Sequence, residues 1–152
     1  SPIKVIDTKL IAKAHFAFTS NKLEWMSEKL CVKASKDKHK EFPGFELWSE
    51  CLKDNPRAWA EMKKYNATDV FATEELYLKL RPWAVGHPNV AAYSTNEEVA
   101  CPKCCSTNLQ KRGKSYTQVG EYHRFQCKDC GGWARSRFVT STIGKRKSLL
   151  SN

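Results

Sequence analysis

The chain has 152 residues, a formal net charge of +10, 41% hydrophobic and 28% charged residues, and seven cysteines. That length suits one ordinary domain, or a small domain plus a metal-stapled module. No run approaches the roughly 18 consecutive apolar residues of a membrane helix, and Ser1 to Lys9 carries no signal-peptide pattern. A cytoplasmic protein with no membrane partner is expected. The charge is uneven: +3 over residues 1–82 and +7 over residues 83–152. A small, strongly basic region points to a polyanionic partner, nucleic acid ahead of a merely solubilising surface.

From the N-terminus, Ile3 to Asp7 reads as a short buried strand. Asp7 or Thr8 can cap a helix over Lys9 to Phe16. Ser20 or Asn21 opens a second helix through Leu30. Lys33, Lys36, Lys38, His39 and Lys40 make a lysine-rich loop, either a solvated linker or a phosphate contact. Pro43-Gly44 is a turn before a short helix from Phe45 to Cys51. Asp54-Asn55-Pro56 is a helix-start signal. A long helical pattern follows to Leu80, with a break expected near Tyr65. Trp59, Met62, Val70, Ala72, Leu76 and Leu80 supply its apolar stripe. Arg81-Pro82-Trp83 ends it, since a residue before proline disfavours helix. Residues 84–100 read as a linker, about 101–138 as a metal module, and 139–152 as a basic tail.

The module rests on Cys101-Pro-Lys-Cys104, a spacer of 22 residues, then Cys127-Lys-Asp-Cys130-Gly-Gly. Each C-x-x-C forms a knuckle whose two sulfurs converge on one metal, and Zn²⁺ takes four thiolates tetrahedrally. An iron centre or a redox dithiol is the alternative. Gly131 and Gly132 sit where a knuckle often needs positive φ. Strands are expected over Asn108 to Lys114, Glu121 to Gln126 and Trp133 to Phe138. Together they form a zinc ribbon. With all four ligands supplied by the protein, the zinc is expected to be structural. Cys105 has the wrong spacing for a ligand. Cys31 and Cys51 follow no pattern, as suits free thiols in a reducing compartment.

Basic residues Lys111, Arg112, Lys114, Arg124, Arg135 and Arg137 interleave with Tyr116, Tyr122, Phe125, Trp133 and Phe138. Cations meet phosphates and aromatic faces stack unpaired bases, although some of these rings must fill the small core. Trp133, Arg135 and Arg137 alternate along one strand and so share a face. Lys111, Arg112, Arg124, Trp133, Arg135 and Arg137 are the candidate nucleic-acid contacts, with single-stranded DNA the expected ligand.

Tyr65-Asn-Ala-Thr-Asp69 is a Y-x-x-x-D pair on a helical segment. The run from Tyr65 through Trp83 resembles the third motif of DnaQ-like 3′–5′ exonucleases, the DEDD superfamily of tyrosine type. Ile6-Asp7-Thr8 through Leu23 and Gly44 to Trp48 are similar to the segment leading into that motif. Bacteriophage-type members carry a comparable C-terminal zinc ribbon. The resemblance covers about residues 1–138. It implies that Asp69 offers a carboxylate to Mg²⁺ or Mn²⁺ while Tyr65 positions the attacking water, both on one helix face at i and i+4. The superfamily's other three acidic ligands should precede the first residue here.

The expectation is therefore an α+β chain. Residues 1–83 form a mainly helical region, the C-terminal part of a ribonuclease-H-like exonuclease fold, ahead of the ribbon. It would be the nucleic-acid-binding portion of a metal-dependent exonuclease, inactive alone. A missing N-terminal half or another chain would be its partner. The alternatives are a non-catalytic nucleic-acid-binding accessory protein of replication or repair, or a protein-binding adaptor or inhibitor.

Overall fold

In a computed structural model, residues 4–32, 41–95 and 97–150 are described. The lysine-rich loop from Lys33 to Lys40 lies outside them. The chain combines helices with one three-stranded antiparallel sheet, a mixed α+β composition. It divides into two compact units, residues 7–80 and the described residues of 1–6 with 81–150. Among the described residues no helix is long and apolar enough to cross a membrane.

The first unit is helical. Asp7 does not extend a strand: Lys4–Asp7 pair with nothing in the sheet. Its Oδ1 instead accepts from the backbone N–H groups of Lys9 (2.8 Å) and Leu10 (3.3 Å), capping α1, Thr8–His15. Helix α2, Leu23–Leu30, starts after Lys22 with no side-chain cap, later than Ser20 or Asn21. Helix α3 spans Glu46–Leu52. The fourth helix, α4, runs unbroken from Pro56 to Leu80, 25 residues or about 37 Å. No break occurs at Tyr65, because neither glycine nor proline interrupts the run and packed neighbours support it. At its start Asn55 Oδ1 accepts from Arg57 N, and Pro56 needs no partner for the N–H it lacks.

Helices α1, α2 and α3 all pack on α4. The buried stripe of α4 is Ala58, Met62, Ala72, Leu76 and Leu80, at four-residue intervals except from Met62 to Ala72, where the step is a sum of three- and four-residue intervals. Trp59 and Val70, expected in that stripe, are 45% and 65% exposed. Each follows a position on the inward face by one residue, which turns it about 100° away. Leu47 and Leu76, both fully buried, and Met26 anchor the core.

The second unit holds the sheet, in order β1 (Leu109–Tyr116), β2 (Glu121–Cys127), β3 (Trp133–Val139). Each strand lies within one or two residues of its expected span. The β1–β2 register slips by one residue between Lys111 and Lys114, around Gly113 at φ +69°, a conformation glycine takes without steric cost. The stretch 84–100 is fastened to the first knuckle: Val90 N–H donates to Pro102 O at 2.8 Å. Lys103 Nζ also reaches the Pro82 carbonyl. Within 139–152, a short helix α5, Ile143–Lys147, is capped by Thr142 Oγ1.

Candidate metal centre and basic sheet face

The two knuckles are built alike. Cys105 N–H donates to Cys101 O at 2.8 Å, and Gly131 N–H to Cys127 O at 3.0 Å. Lys103 N–H points at Cys101 Sγ and Gly132 N–H at Cys130 Sγ, each at 3.4 Å. Backbone N–H groups of Ser106 serve Cys104, and those of Cys130 and Asp129 serve Cys127. All four sulfurs thus accept main-chain hydrogen bonds, which favour a thiolate.

The four Sγ atoms lie within 4.8 Å of one another. Cys101 and Cys130, and Cys104 and Cys127, are 3.6 Å apart. A tetrahedron with Zn–S bonds of about 2.3 Å has edges of about 3.8 Å, so the donor set fits a structural zinc. Among the described residues this is the one group of three or more potential ligands that could hold a metal. Burial pushes the Cys104 and Cys130 thiols up. At Cys127 burial acts the same way, but hydrogen bonds from the Cys130 and Asp129 backbone and from neighbouring thiols outweigh it and bring the thiol to about 7.

Two features of the centre escaped the sequence reading. Asp129 Oδ2 accepts from Ser106 Oγ at 2.5 Å, and its Oδ1 from Asn108 Nδ2 at 2.8 Å. These bonds lower its carboxyl below the usual range, Ser106 first and then Asn108, and they tie the second knuckle to the first. Cys105 has φ +63°, while Gly131, its counterpart after the second knuckle, has φ +75°. Cys105 holds the glycine position with a side chain, and the repeated offset after each C-x-x-C is the signal that could have found it.

The strand registers sort the basic residues. Arg124 is the cross-strand partner of Arg135, and Gln126 of Trp133. Alternation then puts Tyr122, Arg124, Trp133 and Arg135 on one face; Arg137 follows on β3 in the stretch where the β2–β3 register shifts, between the Arg124–Arg135 and Tyr122–Val139 pairs. Arg112 joins them beside Gln110, whose Oε1 it reaches at 3.0 Å. Lys111 pairs with Phe125 and approaches His123 Nε2 at 3.4 Å, which puts it on the opposite face. Arg112, Arg124, Arg135 and Arg137 are exposed. Among the described residues none of the four forms an ion pair with a carboxylate.

Two of these arginines lie over rings. The Arg124 guanidinium is 3.8 Å from the centre of the Trp133 ring, and that of Arg135 is 4.0 Å from that of Tyr122. Hydrogen bonding from Arg135 is the main influence that lowers the Tyr122 hydroxyl below its usual range; Thr117 also bonds it, and Arg146 of α5 is near enough to act on it. Gly120 lies beneath the same ring, where an added Cβ would come within 2.9 Å of Tyr122.

Compared with known proteins, the chain matches no family model, no curated protein and no solved structure.

In the helical unit, Tyr65 and Asp69 do meet. The Tyr65 hydroxyl is hydrogen-bonded to the Asp69 carboxylate, and burial first, then Asp69, raises its pKa. Its ring packs edge-on to Trp48 with centroids 6.0 Å apart, against the cluster of Phe42, Leu47, Cys51, Ala58 and Met62. No trio of potential ligands forms around Asp69 among the described residues, so nothing supports Mg²⁺ or Mn²⁺ there.

Proposed function

We propose that this protein binds nucleic acid through the arginine-rich face of a zinc ribbon. The carrying observation is the group Arg112, Arg124 and Arg135, exposed on one face, with Arg137 exposed just beyond them on β3, all four without carboxylate partners among the described residues. Four like charges held together repel, and a phosphodiester chain neutralises them while releasing its counterions. The zinc's part is structural: with four cysteine thiolates it would be coordinatively closed, fixing β2 and β3 on either side of Cys127 and Cys130. The cations then sit on strands rather than on a disordered tail, so little entropy is lost on binding.

A second reading adds to the first. The resemblance over Tyr65 to Trp83, together with the Tyr65–Asp69 contact on one face of α4, supports reading the helical unit as a portion of a DnaQ-like exonuclease of ribonuclease-H-like fold. Asp69 would be one carboxylate of a two-metal site. One carboxylate cannot hold two cations against phosphate repulsion, so this chain alone does not hydrolyse phosphodiesters.

Fluorescence anisotropy with labelled single-stranded DNA, with and without Mn²⁺, tests both parts. Binding that weakens with salt, and strands that keep their length, are expected. No binding at low salt removes the first reading and leaves a protein-binding adaptor. Stepwise shortening from the 3′ end overturns the claim of inactivity.

A further inference from the structure

The face described above holds its two central arginines in an unusual way. Arg124 and Arg135 are direct cross-strand partners, a placement that brings like charges close and costs stability. Each avoids the other by lying on an aromatic ring, Arg124 on Trp133 and Arg135 on Tyr122. Tyr122 is fixed on further sides: Thr117 bonds its hydroxyl, and Gly120 leaves no room beneath it. One face of each ring is therefore covered by a guanidinium group. A guanidinium carries five N–H donors in the fork that matches a phosphate, so one held over a ring, even with a donor spent on the Tyr122 hydroxyl as at Arg135, keeps others for a ligand. Its rotamers are restricted before the ligand arrives, so less entropy is lost on contact.

We infer that this face reads the sugar–phosphate backbone and not the bases, with Arg124 and Arg135 as phosphate ligands and Trp133 and Tyr122 as their positioning residues. This rests on the nucleic-acid-binding reading and narrows it to sequence-independent recognition. It also changes the role of Trp133, from a base-stacking platform to a support for Arg124.

The test compares two strands of equal length and charge, a thymidine oligonucleotide and one whose residues are abasic, on the zinc-loaded chain. Stacking on an aromatic side chain changes affinity by roughly 5- to 150-fold per base. Backbone reading predicts that the abasic strand binds with less than about a fivefold loss. A larger loss overturns the inference. No binding of either strand removes the underlying reading as well, and so is distinguishable from that result. Trp133→Leu supplies a second measurement, with zinc content checked to show that the module is intact. Loss of positioning weakens both strands by the same factor, whereas a loss confined to the thymidine strand shows that Trp133 stacks a base. Should W133L fail to hold zinc, the two-strand comparison on the unaltered chain still decides.

Discussion

Asp129, between the cysteines of the second knuckle, accepts a hydrogen bond from Ser106, just past the first, at 2.5 Å. Asn108 supplies a second at 2.8 Å. Two loops that share a metal are thus also joined by a carboxylate. Because these bonds lower the Asp129 carboxyl below its usual range, their contribution is complete above the unfolded value of about 3.9. It is lost as pH falls through the lower folded value. Asp129→Asn should lower the melting temperature of the zinc-loaded protein at neutral pH. Thermal scans of the two zinc-loaded chains at neutral pH measure it, and an unchanged melting temperature contradicts this account.

The metal set makes a sharper distinction. Serine at Cys101, Cys104, Cys127 or Cys130 should abolish tight binding of one Zn²⁺ per chain, while Cys105→Ser should leave it intact. Chelation should melt the sheet, since binding energy in such modules is folding energy. Metal analysis by mass spectrometry and circular dichroism read the two outcomes.

Cys105 carries a left-handed backbone at φ +63°, which costs a side-chain-bearing residue about 1–2 kcal/mol. Cys105→Gly should therefore stabilise the loaded module by about 1 kcal/mol, and Gly131→Ala should destabilise it by a similar amount. Denaturation midpoints at fixed zinc concentration measure both. A stabilising Gly131→Ala would show that the two knuckles are not equivalent.

In the helical unit, Leu76→Ala should cost about 2–5 kcal/mol because the side chain is fully buried. Val70→Ala should stay within about 0.5 kcal/mol, as Val70 is exposed. Urea titrations followed by far-ultraviolet circular dichroism compare them.

How far these features could be read in the residues depends on the range of the forces involved. The knuckles, the three strands and the helix start at Pro56 are local, set by cysteine spacing, alternation and capping, and they appear close to where those signals put them. The break at Tyr65 did not, because continuity of α4 depends on α1, α2 and α3 packing along it. Trp59 and Val70 were misplaced by one residue of helical phase. Strand register alone decides which residues lie beside Arg124, and it puts Lys111, named as a contact with no face assigned, on the side opposite. The Arg124–Trp133 and Arg135–Tyr122 contacts and the Asp129 clamp join residues distant in sequence, and no spacing announces them.

The most direct test of nucleic-acid binding by the arginine face is the salt dependence of affinity for single-stranded DNA, measured on the unaltered chain and on the Arg135→Ala, Arg137→Ala double variant. Each phosphate contact contributes about 0.7 to the slope of log affinity against log salt. The double variant should bind more weakly and its slope should flatten by about 1.4. Unchanged affinity and slope would contradict the assignment of this face.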